Sequence, residues 1–245
     1  MRKSPAKIIS GVLRGPRKIL TDRMFPRLFA ELDHRRGTRV VPPLNQQRGR
    51  AAIMEAIIRA GGIAQIVETG TYRGSTTAWF AGFGVPVHTV EANPRFAHLA
   101  RLRFAATPLV RSAEMDSAAF LRRLAQNKPM TDATTLFYLD AHWGKRLPLA
   151  EELATIAAAF PAAIIVIDDF QVADDPAYGF DDFGPGKRLD LDYVRRTGVT
   201  GLQAFFPTLR GTDEDGARRG CVVLTANGTL ADKLRQIPLL RPYLL

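Results

Sequence analysis

A single cysteine, Cys221, stands among 245 residues, so no intrachain disulfide can form. A domain of this length can bury enough apolar surface to fold without such a staple. One thiol fits a reducing compartment. Its place in the run Gly220-Cys221-Val222-Val223-Leu224 reads as a small buried hydrophobe. No stretch approaches the roughly 18 consecutive apolar residues of a membrane span. The apolar runs Ile8-Ile9 and Gly11-Val12-Leu13 are too short and interrupted for a secretory segment, and a cytoplasmic protein is expected. The chain also lacks Gly-x-Gly-x-x-Gly and the Gly-Lys-Ser/Thr of a P-loop, which argues against the common dinucleotide and nucleoside-triphosphate loops.

Basic charge is abundant but unevenly placed. Residues 1–50 hold 13 Lys or Arg against 3 Asp or Glu, while the rest of the chain holds 21 of each, so the net charge of +10 belongs to the N-terminal segment. Residues 1–45, interrupted by Pro5, Pro16, Pro26, Pro42 and Pro43, are read as a basic extension, and residues 46–245 as one domain. Such an arm suits contact with an anionic membrane, an acidic partner or nucleic acid; a solvated leader or a lid reads equally well.

From Gln47 onward, regular elements are expected. Ile53, Ile57 and Ala60 share a helical face that Gly61-Gly62 stops. Strands are expected at Gln65–Glu68, Val87–Glu91, Leu109–Ser112, Thr135–Asp140 and Ala163–Ile167, alternating with helices. Asn93-Pro94 and Asp116 read as helix starts. Gln203–Pro207 and Cys221–Thr225 close the series. The expected fold is α/β: a Rossmann-like, doubly wound, seven-stranded, mostly parallel sheet with a terminal antiparallel hairpin. Ligands of such sheets bind beyond the carboxyl ends of the strands.

Chemistry-bearing residues gather at those ends. The first strand runs into Glu68-Thr69-Gly70-Thr71-Tyr72-Arg73-Gly74-Ser75-Thr76, where two glycines permit a tight turn and close backbone approach. Ser75 and Thr76 open the next helix, a place that favours an anion. Glu91 ends the second strand and can accept from both hydroxyls of a ribose. Asp116 and Ser117 follow the third strand and suit either an adenine edge or a helix cap. Asp140 ends the fourth strand, and Asp168-Asp169 end the fifth. Mutual repulsion among these three carboxylates would be relieved by a hard cation such as Mg²⁺.

Taken together, these residues resemble the class I S-adenosylmethionine (SAM)-dependent methyltransferases. Within that class they are similar to the metal-dependent O-methyltransferases of the catechol type and to the macrocin and cephalosporin-hydroxylase-like group. Glu68-x-Gly70-x-Tyr72-x-Gly74-x-Thr76 matches the cofactor loop, and Glu91 matches the ribose-binding acid. Asp140, Asp168 and Asp169 match the magnesium ligands. His142, Trp143 and Lys145 resemble a His-Trp-Lys set, with one residue inserted before His142 and another before Lys145. The resemblance spans about residues 50–230. It implies SAM held by Glu68, Gly70, Tyr72, Gly74, Ser75, Thr76, Glu91, Asp116, Ser117, Asp140 and Trp143, and a divalent cation, Mg²⁺, on the three aspartates. It also implies His142, or else Lys145, as the base that takes the acceptor's proton.

The implied reaction is methylation of a hydroxyl on a sugar or other small metabolite. The long segment Val172–Gly186, with Tyr178, Phe180 and Phe183 among carboxylates, is expected to cover that acceptor; failing that, the acceptor site falls to residues 1–50. A nucleic-acid methyltransferase and a non-catalytic cofactor-binding protein are the rival readings. No Asn/Asp-Pro-Pro-aromatic run and no Pro-Cys nucleophile supports the first of these. Whether the chain forms a homo-oligomer is left open.

Overall fold

The computed structural model describes residues 24–35, 37, 42–142 and 147–244. The strands are β1 (Gln65–Thr69), β2 (Val87–Glu91), β3 (Val110–Glu114), β4 (Thr135–Leu139), β5 (Ala163–Asp168), β6 (Gln203–Pro207), β7 (Cys221–Thr225) and β8 (Leu240–Tyr243). They form one sheet in the order β3-β2-β1-β4-β5-β7-β6-β8. The pairs among β1 to β5 are parallel, whereas β7 runs antiparallel to both β5 and β6. This is the Rossmann-like, mostly parallel sheet expected from the sequence. An eighth strand lies on its edge, with Phe205 opposite Pro242. Proline reads against a strand, but an edge position tolerates the missing N–H.

Helices cover both faces. The apolar residues of β5 alternate between them: Ile165 and Ile167 pack with α5 (Ser117–Leu124), α7 (Leu149–Ala159) and α8 (Leu191–Arg196), while Ile164 and Val166 pack with α2 (Arg48–Gly61), α3 (Ser75–Ala81) and α9 (Gly228–Arg235). Burial on both faces explains why β4 and β5 are apolar almost throughout rather than alternating, and every residue of β1 is buried as well. Local signals set the helix ends. Gly62 closes α2 in the left-handed region at φ 67°. Asn93 caps α4 (Pro94–Arg103) by accepting from the Arg95 N–H, and Asp116 caps α5 by accepting from the Ala119 N–H.

Of the basic extension, residues 1–23 lie outside the described residues. Helix α1 (Pro26–Arg35) packs against α4, with Asp33 paired to Arg95 at 2.5 Å; its Leu28, and Met24 and Phe25 just before it, are exposed. Among the described residues, no helix is long and apolar enough to cross a membrane.

The strand order reverses between β1 and β4, so the loops leaving these two strands splay apart. A crevice opens there by topology alone.

Candidate functional site

A cavity of about 720 Å³ occupies that crevice, a size suited to a small organic ligand. Its wall contains Glu68, Gly70, Tyr72, Ser75, Thr76, Glu91, Asp116, Ser117 and Asp140, which brings together most of the residues expected to hold the cofactor. Gly74 shapes the loop from behind. A Cβ there would lie 2.8 Å from the Phe104 ring, and the backbone sits at φ +72°.

The loop after β1 is fixed by hydrogen bonds. Gly70 and Thr71 donate to the Val90 carbonyl, and Gly74 donates to that of Thr71 at 2.7 Å. Glu91 accepts from the Tyr72 N–H at 2.8 Å and from the Asn93 N–H at 2.7 Å, one on each oxygen. Further lone pairs remain on that carboxylate for a ligand's hydroxyls. Burial raises its pKa above the ordinary carboxylate value, partly opposed by these backbone donors. Behind the loop, Glu68 is buried and accepts from Thr77 Oγ1 at 2.5 Å and Thr89 Oγ1 at 2.6 Å. Burial still pushes it up to about 7. Ser75 Oγ is buried and finds no partner among the described residues. Tyr72 is 47% exposed at the mouth and packs edge-on against Phe96 at 4.6 Å.

A segment before α2 closes the other side. Pro42, Leu44 and Asn45 line the cavity. Leu44, Asn45 and Gln46 are three consecutive non-glycine residues at positive φ, between 52° and 61°. Such a run costs energy and persists only when its surroundings hold it. Here the Leu44 N–H donates to Thr76 Oγ1 at 3.2 Å, and the Asn45 carbonyl accepts from the Ala217 N–H at 3.0 Å. Asn45 Nδ2 donates to Asp168 at 3.2 Å.

Asp168 is buried at the end of β5. Its Oδ1 accepts from Arg50 and from the Asp169 N–H, and its Oδ2 accepts from the Tyr138 hydroxyl and Asn45. Burial would raise this carboxyl, but the Arg50 charge and the Tyr138 and Arg50 hydrogen bonds outweigh it and hold the pKa below the ordinary value. Asp169, left-handed at φ 52°, accepts from Arg219 Nε at 2.6 Å, and Arg219 also pairs with Asp181. Burial and the neighbouring Asp168 push Asp169 up to about 6. Asp140 faces the cavity, its pKa raised by burial and then by Asp168 and Asp169.

The sequence matches no protein-family model and no curated protein. Solved structures are similar at low identity. An O-methyltransferase from Bacillus cereus, in complex with SAH, is 18% identical with a TM-score of 0.53, over 89% of this chain and 94% of that one. The O-methyltransferase TomG from Streptomyces achromogenes, involved in tomaymycin synthesis and in complex with SAM, is 17% identical with a TM-score of 0.51, over 83% of this chain and 89% of that one. A Klebsiella pneumoniae protein provisionally assigned as an O-methyltransferase is 19% identical with a TM-score of 0.53, over 91% of this chain and 96% of that one. The fold is that of the class I SAM-dependent methyltransferases.

In a methyltransferase fold of this class the cavity residues fit SAM. The chemistry of the donor set carries that judgement: a carboxylate with spare acceptors at the end of β2, Asp116 and Ser117 beside it after β3, and an unpartnered Ser75 hydroxyl in the loop wall. A divalent cation does not fit in the same way. Among the described residues, no group of three or more His, Cys, Asp or Glu side chains is placed to hold a metal ion. The three aspartates expected as magnesium ligands lie on one rim, but Arg50 and Arg219 already pair with two of them. The sequence showed acids converging without showing the cations that meet them.

Other expected residues fall elsewhere. His142 is 2% exposed, its Nε2 3.1 Å from the Leu139 carbonyl, and it is absent from the cavity lining. Burial lowers its pKa to about 4, so at neutral pH it is an uncharged, weakly basic ring. Trp143 and Lys145 lie outside the described residues. The segment 172–186 contributes nothing to the cavity wall. Tyr178 is instead buried and donates to the Leu209 carbonyl at 3.0 Å, and Phe183 packs on the core.

Gly70 also has a different reason for being glycine than close approach to a ligand. At φ +92°, an added Cβ would lie 2.4 Å from the Asp140 carbonyl oxygen. Gly70→Val should therefore destabilise the whole loop, by backbone strain of about 1–3 kcal/mol with overpacking of similar size on top. Chemical denaturation should show a clearly lowered midpoint. Gly84→Ala, at φ +75° in open space, should show the smaller backbone cost alone. Equal midpoints for the two variants would contradict this reading.

Proposed function

We propose that the chain transfers the methyl group of SAM to a hydroxyl oxygen of a small polyhydroxylated metabolite, such as a sugar, breaking the methyl–sulfur bond and releasing SAH and the hydroxyl's proton. The observation that supports this best is the coincidence of three features in one crevice of a methyltransferase fold: the Gly70–Thr76 loop, the Glu91 carboxylate and an oxygen-rich far wall. When bound, SAM supplies an electrophilic methyl on a good leaving group. The protein's task is then to align donor and acceptor and to keep water out. The Gly70–Thr76 loop and Glu91 bind and orient the cofactor. Asn45 and Asp140 line the cavity and offer acceptors and one amide donor to a ligand with several hydroxyls, while Asp168, its oxygens already met, fixes Asn45 in that wall. Tyr72 and Phe96 supply the apolar rim that limits what enters.

The test is methyl transfer from SAM labelled on its methyl group, with pooled small metabolites, total nucleic acid and protein offered separately. The expected result is label in a small organic product whose new bond is an ether linkage. Label recovered in nucleic acid would overturn the acceptor class and favour a role for the basic arm. SAM binding with no transfer to any pool would favour a cofactor-binding protein without turnover.

A further inference from the structure

We propose that Arg50 is the resident cation of the strand-end carboxylates, standing where a divalent metal would otherwise be needed. Both Arg50 and Asp168 are 1% exposed at the side chain, so their charges neutralise each other out of reach of solvent. Asp168 has two acceptor sites on each oxygen, and two donors meet each oxygen. A metal could ligate Asp168 only by displacing Arg50, Tyr138 or Asn45, and it would then sit beside a buried guanidinium of like charge.

That guanidinium is itself fixed. Its second amino group donates to the Arg219 carbonyl, and the Arg50 N–H donates to Glu214 Oε2 at 3.2 Å. Its charge reaches Asp140 as well, where it opposes the rise in pKa. Arg219 likewise pairs with Asp169 and Asp181, though in a more exposed place, and Asp169 stays above the ordinary carboxylate value. Arg50 does not line the cavity. It is therefore a positioning residue, holding Asp168 ionised and oriented so that the Tyr138 hydroxyl and the Asn45 amide are held in turn. The inference concerns the carboxylate cluster alone and stands apart from the methyl-transfer reading.

The test uses the full chain with Mn²⁺ as the probe, followed by electron paramagnetic resonance of the free ion, with and without SAH. Wild type should leave the Mn²⁺ signal unchanged. Arg50→Met frees Asp168 beside Asp140 and should create a Mn²⁺ site, lost again when Asp168→Asn is added. Stoichiometric Mn²⁺ binding by wild type that is lost in Asp168→Asn would overturn the proposal. So would an Arg50→Met chain with a native circular dichroism spectrum and no Mn²⁺ bound. Where Arg50→Met does not fold, the wild-type titration decides by itself. A purely structural role for Arg50 would predict no gain of metal binding in the variant.

Discussion

Arg50→Met is expected to lower stability by about 3–5 kcal/mol at neutral pH, because it leaves the Asp168 carboxylate buried without its countercharge. Full burial of both partners means that solvent screening does not discount this pair. The dependence on pH follows from the depressed Asp168 pKa. A carboxyl whose pKa is lower folded than unfolded stabilises the fold above the unfolded value, near 4. That contribution is lost as pH falls through the lower, folded value. In the variant the same carboxyl is buried without a partner, so it is better tolerated when protonated. The gap between wild type and Arg50→Met should therefore narrow on acidification. Urea midpoints at neutral and acidic pH would show this, with slopes unchanged if the transition stays two-state. The double variant Arg50→Met, Asp168→Leu should recover part of the loss, since the buried charge goes with its partner. A gap that does not change with pH would mean that lost packing, not the ion pair, carries the effect.

The second large effect is expected at Glu91. On the proposed reading its carboxylate, in the cavity wall, accepts hydrogen bonds from the ribose hydroxyls of SAM, and bonds to a charged group contribute about 1.5–3 kcal/mol. Glu91→Ala should accordingly weaken SAM and SAH binding by about 10- to 100-fold. Glu91→Gln keeps one acceptor oxygen and should fall between the two. Because Glu91 also accepts from the Tyr72 and Asn93 N–H groups, the alanine variant loosens the loop as well. Thermal unfolding separates the two causes. A small fall in melting temperature with a large fall in affinity assigns the effect to the ligand, whereas a large fall in both assigns it to the loop.

How much of this was legible in the sequence depends on the range of the interaction involved. The strands β1 to β5, the caps Asn93 and Asp116 and the Gly62 stop are local patterns within a few residues, and the structure contains them. The crevice lining was legible too, because a parallel sheet places each strand's next residues on one rim. What stayed hidden was long-range. Arg50 and Asp168 are 118 residues apart, and Arg219 reaches Asp169 across 50. One local sign was available: Arg50 shares its helical face with Met54 and Ile57, all three buried. A charged residue on an apolar face demands a buried partner. Segment 172–186 was ambiguous because its aromatic residues suit a ligand surface and a core equally well, and composition cannot choose. Tyr178 and Phe183 are used for packing. Part of the cavity wall comes from Pro42, Leu44 and Asn45, in a proline-broken stretch with no period to read.

SAM is expected to bind in the crevice between β1 and β4. Isothermal titration of the full chain with SAH, run beside NAD, tests it most directly. The account predicts one-to-one binding of SAH, strongly reduced by Glu91→Ala, and no binding of NAD, whose pyrophosphate finds no Gly-x-Gly-x-x-Gly turn in this chain. Absence of SAH binding by the folded wild-type chain, or an SAH affinity untouched by Glu91→Ala, would contradict it.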